Sequence, residues 1–540
     1  MANFQDIPYR RIPGHSPLFL DYVDLSPGIL RFFETPPVKQ KLEAFARKQS
    51  SKKYFPRQEM AIILERQNAL YGAGASLAEQ IAELARPDSV AIVTGQQVGV
   101  FGGPLYTVYK ALTAVALAQE LRESGIRAVP VFWMETEDHD LAEATRVFRT
   151  DPSPGTVEVA RTLFGRHALS PRPVGSLTLP LKIRDVNDDY VGSIPESPFR
   201  ATVRALLEGA YAPGASMTLA FARLLRSILP GLLLFDPADP EAKRLAAPVF
   251  RKALENTDRI GATLRERAEE LVQAGYPVQV RIRDDATLLF MVEGERRALE
   301  RESERFRLRG FATSFTPEDL LRLTEGAPER FSPNVLLRPV VQDALFPTAA
   351  YVAGPSEIAY FAQLGPLYAL MDRPMPVIWP RNGFTLLNPE TTAELERLGI
   401  DPEACLAGRE RMWKQAPPSS RELERLEELE RRLDRDLRKI GAEIGAVEAG
   451  LERAAANSRS KILHNMGRMR ARTRRLLPMD RAVDRLLARC RPDGKLQERG
   501  AGILPSLARY GSPLIERLRR EARPENFAHR VLHLENSPPA

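Results

Sequence analysis

Residues 89–136 read as strand, glycine loop, helix, strand, and few folds accept that succession. "SVAIVTG" is a continuous apolar run that stops at Thr94. "QQVGVFGG" follows, and Pro104 opens a helical pattern that lasts to about 124. Gly125 then separates it from a second apolar run, "AVPVFWMET". Apolar runs without alternation suit strands covered on both faces, and strand–helix–strand is the unit of a parallel sheet. The pattern recurs further on. "GLLLFDPAD" (231–239) and "AAYVAG" before Pro355 are strands followed by helices, and "PVIWPRNGFTLL" (376–387) is another strand candidate. A helical pattern occupies 38–86, a helix is expected from about 140, and 277–293 with 306–312 read as short strands of a satellite element. The fold class is therefore α/β.

After about 390 the pattern changes. From Lys414 to Arg509 there is no aromatic residue. Leu426, Leu429, Leu433, Leu437, Ile440, Ile444, Val447 and Leu451 recur at spacings of three and four, a coiled-coil seam with one stutter. Pro417 to Ser420 supply a start and Asn457-Ser458 a turn, so 420–476 is expected to form an antiparallel hairpin projecting from the core. One hairpin cannot cover its own apolar stripe, and a homodimer is the economical solution. The expected domains are a core over 1–389, in which 150–330 is the least defined stretch, a helical domain over 390–489, and a return to the core over 490–540.

Composition excludes several classes. Cys405 and Cys490 are the only cysteines, so no disulfide framework is expected and a cytoplasmic setting fits. No CxxC or HExxH occurs, which gives zinc no support and names no metal ligand set. The opening "MANFQDIPYRR" lacks the apolar run of a secretion signal, and no stretch is long enough for a membrane span. The net charge of +7 comes from interleaved acids and bases. Only Arg468 to Arg475 forms a basic run, which reads as a solvated helix face rather than a nucleic-acid surface.

The glycine stretch is the first candidate site. Glycines let backbone approach closely, and a helix N-terminus offers N–H groups to an anion. Thr94, Gly95, Gln96, Gln97, Gly99, Gly102 and Gly103 are thus candidates for binding a substrate or nucleotide; a tight strand-to-helix connection is the plainer alternative. The next strand ends in "METEDHD" (134–140). Asp138, His139 and Asp140 are the catalytic candidates there, with Mg²⁺ ligation or general-base work open to them, against a solvated acidic loop. Asn334, Arg338, Gln342 and Asp343 precede a third strand, Gly354, Glu357 and Tyr360 follow it, and Arg381 ends "PVIWP". Each is scaffold when taken singly; together they describe a site assembled from several strand ends.

"TGQQVGVFGGPLYTVYKA", "PVFWMETEDHDLAE", "NVLLRPVVQDALFPTAAYVAGPSEIAYFAQL" and "PDGKLQER" resemble the cysteine ligase family of bacillithiol biosynthesis, BshC. The resemblance runs from "IPYRRIPG" to about 511. It implies a Rossmann-like core with inserted connective segments, related to class I aminoacyl-tRNA synthetase-type nucleotidyl transferases, and a coiled-coil domain that mediates dimerisation. It also implies a reaction, the amide-forming addition of L-cysteine to glucosaminyl-malate. No HIGH-type tetrapeptide stands at 94–104 and no KMSKS loop occurs, so adenylate chemistry is not carried over. Amide formation still needs an activated carboxylate, for which ATP is the expected source, and an unprotonated amine. On this expectation the Gly95–Gly103 loop holds an anionic group, Asp138, His139 and Asp140 handle the amine, and Arg338 or Arg381 neutralises malate or phosphate. Two other readings stay open: a nucleotide-dependent transferase or nucleotidyltransferase acting on another small molecule, and a non-enzymatic coiled-coil interaction protein.

Overall fold

The computed structural model describes residues 4–52, 54–72, 74–149, 155–165, 170–415, 421–474 and 478–535. Five parallel strands form the central sheet: β1 (Ser89–Gln97), β2 (Arg127–Glu135), β3 (Leu233–Phe235), β4 (Thr348–Ala353) and β5 (Val377–Pro380). Their order is β5-β4-β1-β2-β3. The chain first steps outward from β1 to β2 and β3, then returns to the other side of β1 for β4 and β5. That reversal places a topological switch point between β1 and β4, where the loops diverge and leave a crevice.

The apolar runs are strands because both sheet faces are covered. On one face Val90, Ile92, Ala128, Ala350, Val352 and Val377 pack with Ala114, Leu117, Ala118 and Leu121 of the helix Tyr106–Glu123 and with Leu42 and Ala46 of the helix Lys39–Ser50, and on the other Ala91, Val93, Val129 and Val131 are equally buried. Gly95 is required by that packing: a Cβ there would meet the Trp133 carbonyl oxygen at 2.8 Å. The chain belongs to the α/β class with a Rossmann-like sheet.

The structure corrects several local expectations. The helix expected from 140 is a single turn, Leu141–Ala144, because Arg146–Arg149 pairs with Gly155–Glu158 as a β-ribbon. The satellite element is larger than the two runs implied: five antiparallel strands between Ala286 and Pro333. The run "PVIWPRNGFTLL" is two strands, since Arg381 and Asn382 break it before Gly383–Leu387.

The chain divides into two compact units. One comprises Gln5–Thr385 with Glu498–Arg530 and holds the sheet; the other comprises Leu386–Gln497 with residues from the chain's two ends. Within the second, helices Arg421–Val447 and Glu452–Arg474 form the hairpin. It turns at Glu448–Leu451, where Glu448 leaves helical geometry and Gly450 follows, and Asn457-Ser458 lies inside the second helix. The start expected at Pro417–Ser420 and Arg475 of the basic run lie outside the described residues. Arg459 and Arg470 tie the hairpin's arms together through Asp434 at 2.6 Å and Glu430 at 2.7 Å. The apolar stripe faces outward: Leu429, Ile440, Val447 and Leu451 are exposed.

Candidate active site

A cavity of about 500 Å³ opens at the switch point. The end of β1 contributes Gly95, Gln96 and Gln97, and the end of β2 contributes Glu135, Glu137 and Asp138. Asn334 and Arg338 come from the segment before β4, and Gly354, Glu357 and Tyr360 from the turn and helix after it. Arg381 closes the far side after β5, and Tyr106 with Lys110 rises from the helix behind β1. Segments more than two hundred residues apart thus deliver polar groups to one hollow.

Lys110, Arg338 and Arg381 each lean on a carboxylate. Lys110, 2% exposed, lies 2.7 Å from Glu357 and donates to the Gly95 carbonyl. Glu357 also accepts from the Tyr351 hydroxyl at 2.6 Å and the Gly354 N–H at 2.7 Å. Burial outweighs the pull of Glu357 and lowers the Lys110 pKa. Burial opposes ionisation of Glu357 too, but Lys110 and the Gly354 N–H hold its pKa below the ordinary value. Arg338 stands 3.0 Å from Glu135 and donates to Gln342 at 2.9 Å and to the Tyr360 hydroxyl at 3.0 Å. Arg381 makes a bidentate pair with Glu498 at 2.8 and 2.5 Å, both side chains almost fully buried.

Glu135 is the group out of balance. Burial pushes its carboxyl up to about 7; Arg338 opposes this, while the charges of Asp138 and Glu357 add to it. A carboxyl that titrates near neutrality in a polar cleft can accept and return a proton at working pH.

The expected residues fall into two groups. Gly95, Gln96, Gln97, Asp138, Asn334, Arg338, Gly354, Glu357, Tyr360 and Arg381 share the cavity wall. Thr94, Gly99, Gly102, Gly103, His139, Asp140, Gln342 and Asp343 are not part of it. Thr94 is buried and donates to the Val352 carbonyl at 2.9 Å, stitching β1 to β4. Gln342 and Asp343 lie behind the wall, Gln342 accepting from Arg338 and Asp343 from the Tyr368 hydroxyl.

Beyond Gln97 the glycine loop turns away from the cavity wall. Several of its N–H groups are spent within the protein: Gly99 donates to Gln97, Gly103 to Val100, and Leu105 to Ala501. Gly102 and Gly103 have φ of +85° and +69°, the left-handed region that favours glycine. Tyr211 locks the turn, its hydroxyl donating to the Gly99 carbonyl at 2.8 Å and accepting from the Gly102 N–H. These glycines build a buried turn; only Gly95 reaches the cavity.

His139 stands outside the cavity wall, with its ring engaged by Arg296. Its Nδ1 lies 3.0 Å from Arg296 Nη1, and a guanidinium can only donate, so that nitrogen is occupied as an acceptor. Burial first, and then Arg296, lower its pKa, which keeps the ring neutral. Asp140 accepts from the Glu143 N–H at 2.9 Å and caps the short helix that follows. Asp138 does reach the wall, where it accepts from Gln97 and from the His139 N–H at 2.6 Å.

Lys110, Glu135, Glu137, Tyr106, Arg296 and Glu498 are the contributors that sequence reasoning missed. A signal existed for Lys110, a lone charge amid the apolar face of "YTVYKALTAVALA". Glu135 stands in the same acidic run as Asp138, where residue type alone does not distinguish it. Nothing local marks Arg296 or Glu498, which arrive from the satellite sheet and from the C-terminal segment. Among the described residues no group of three or more His, Cys, Asp or Glu is placed to hold a metal ion. Nor is any helix among them long and apolar enough to cross a membrane.

Two family models cover the chain. One, described as the N-terminal Rossmann-like domain of bacillithiol biosynthesis BshC, matches residues 3–382, and the other, its C-terminal coiled-coil domain, matches 384–534. Curated relatives named "Putative cysteine ligase BshC" are 34% identical to this chain. The Salinibacter ruber protein aligns over 95% of this chain and 96% of its own length. The Koribacter versatilis protein also aligns over 95% and 96%, and the Solibacter usitatus protein over 96% and 98%.

Proposed function

The chain belongs to the BshC family of bacillithiol biosynthesis, and from that premise we propose that it joins L-cysteine to glucosaminyl-malate through an amide bond in the switch-point cavity. The observation that carries the reading is Glu135, a carboxyl near neutrality beside Arg338 in a cavity lined with further cations. A sugar ammonium must lose its proton before its nitrogen can attack a carbonyl carbon. Glu135 takes that proton first; the free amine then attacks the activated cysteinyl carbon, and the bond from that carbon to the activating group breaks as the amide C–N bond is made, the activating group leaving with the electron pair. Arg338 and Arg381 face the malate carboxylates, Arg338 held by partly exposed Glu135 and Arg381 by buried Glu498. Gln96 and Gln97 supply donors and acceptors for the sugar's hydroxyls.

Activation of the cysteine carboxylate by ATP, with Mg²⁺, belongs to the proposal on chemical grounds, because a carboxylate and an amine do not condense unaided in water. The N–H groups of Gly99, Gly102, Gly103 and Leu105 are already bonded within the protein, which leaves the glycine loop few donors for its phosphates. No step is therefore routed through the nucleotide. The test is an extract of cells lacking this protein, supplied with cysteine, glucosaminyl-malate and ATP and followed by mass. Adding the protein back should restore the amide product; no product with any activator would sink the reading.

The site geometry predicts an inversion of what the acidic run promised. Asp140→Asn should keep full amide-forming activity, because asparagine caps a helix as well as aspartate does. His139→Ala should cost less than about ten-fold in kcat/KM, far below the loss of a general base. A loss of several hundred-fold in either, with unchanged melting, would return them to the mechanism.

Homodimerisation through the hairpin is the second element of the proposal, supported by its exposed stripe. Replacing Ile440 and Ile444 together by glutamate should convert the dimer to monomer in light scattering. A dimer of undiminished stability would move the interface elsewhere.

A further inference from the structure

A second hollow of about 510 Å³ lies next to the first, and Glu137 lines both. It opens where β2 and β3 end. Asp236, directly after β3, accepts at Oδ1 from the Thr136 hydroxyl at 2.5 Å and from the Ala238 N–H at 2.9 Å. Its Oδ2 receives no hydrogen bond from any described residue. Burial pushes this carboxyl up to about 6, with Thr136 and Ala238 opposing and the charges of Glu137 and Asp239 adding. No described cation makes an ion pair with it, and Lys243 acts on it only from longer range.

Across the hollow stands Lys243, 3% exposed, which donates to Glu137 at 2.5 Å and to the Phe331 carbonyl at 2.9 Å. An ammonium carries three N–H groups, and the third has no acceptor among the described residues. Tyr71, 5% exposed, lines the same space, and its hydroxyl makes no hydrogen bond to a described residue. Leu219 and Val292 give the hollow an apolar side. Asp236, Lys243, Tyr71 and an apolar surface thus line one space, with the Phe250 ring 5.6 Å from Lys243 Nζ behind it.

We propose that this hollow is a subsite for an α-amino acid, with its ammonium on Asp236, its carboxylate turned toward Lys243 and the shared wall, and its side chain on Leu219 and Val292. That the amino acid is cysteine rests on the function proposed above; the match to a zwitterion does not. With the acceptor's amine beside Glu135 in the first cavity, the amino acid's carboxylate would meet it at the edge the two hollows share, where Glu137 lines both.

The probe is L-2-aminobutyrate, which carries a methyl group in place of the thiol and neither oxidises nor exchanges disulfides. It is titrated calorimetrically into the full-length protein, with and without excess malate for the first cavity. Saturable binding that malate leaves unchanged is expected. Blocking the ammonium as N-acetyl-2-aminobutyrate should weaken binding by at least about ten-fold, and so should Asp236→Asn. Tyr71→Phe removes a hydroxyl that has no partner and so disturbs no native hydrogen bond; it should weaken the probe by a smaller factor. No saturable binding, displacement by malate, or unchanged affinity in a folded Asp236→Asn protein would overturn the subsite. Should that variant fail to fold, the acetylated probe and Tyr71→Phe decide instead, and full affinity in both overturns it. Binding as described without amide formation would sink the ligase reading alone. Amide formation with an unchanged KM for cysteine in Asp236→Asn would sink the subsite alone.

Discussion

Glu135→Gln is expected to lower kcat/KM by about 10²- to 10⁴-fold, the range that removal of a positioned proton acceptor costs. The wild-type profile should rise with pH through an apparent pKa of about 7, as the Glu135 carboxyl loses its proton and becomes able to take one from the amine. In the glutamine variant that limb should disappear. A stability measurement separates this result from trivial unfolding. The folded pKa of Glu135 lies above its ordinary value of 4.5, so the native state holds the proton more tightly than the unfolded chain. Its protonated form therefore stabilises the fold, and that contribution is lost as pH rises from about 4.5 through about 7. Glutamine has no such ionisation, and its side-chain oxygen can still accept from Arg338. The variant should then melt no lower than wild type at about pH 8. An inactive variant that melts much lower would assign Glu135 a structural role, and an active one with the limb intact would place the proton acceptor elsewhere.

The strands and their layering were legible because each is a run of apolar residues bounded by glycine, proline or a polar tip, and such runs are stable only when covered on both faces. The convergence of 95–97, 354–360 and 381 was legible for the same reason: in a parallel sheet the C-terminal strand ends all point to one edge, whereas 334–338 reach the cavity from the last strand of the satellite sheet. Which side chain at that edge does the chemistry was not. His139 carries the residue type most often used as a base, but its role depends on Arg296, which comes from a different sheet 157 positions along the chain. Glu135 looks like one acid among four until burial and the Asp138 and Glu357 charges raise it and Arg338 only partly offsets them. The glycines around Phe101 announce a constrained loop, yet only Tyr211 and Ala501, both distant in sequence, show that its polar groups face inward. Pattern fixes where a strand ends; partners from elsewhere fix what its end can do.

The second large effect is on stability. Glu498→Ala is expected to destabilise the fold by about 3–5 kcal/mol, because it strands the Arg381 guanidinium without its partner in a buried site. The packing around Glu498 is tight. A Cβ on Gly383 would collide with the Tyr9 hydroxyl and meet both Glu498 Oε2 and His529 Nδ1 at 2.8 Å, so even Gly383→Ala should be severely disruptive. Although burial alone would raise it, Arg381 holds the Glu498 carboxyl down at about 2. Burial, only partly offset by Glu498, lowers His529 to about 4. Both folded values lie below the ordinary ones of 4.5 and 6.5, so both contributions are present at neutral pH. The His529 contribution is lost as pH falls from about 6.5 through about 4, and that of Glu498 as it falls from about 4.5 through about 2. Acid titration followed by circular dichroism should show Glu498→Ala unfolding at a higher pH than wild type. The double variant Arg381→Met/Glu498→Leu, which removes both charges and keeps the volume, should recover most of the lost stability. If the pair exists to aim Arg381 at a substrate carboxylate, that stable double variant should still show a greatly raised KM for the malate-bearing substrate. Recovered stability with an unchanged KM would make the pair scaffold alone and remove Arg381 from the binding site.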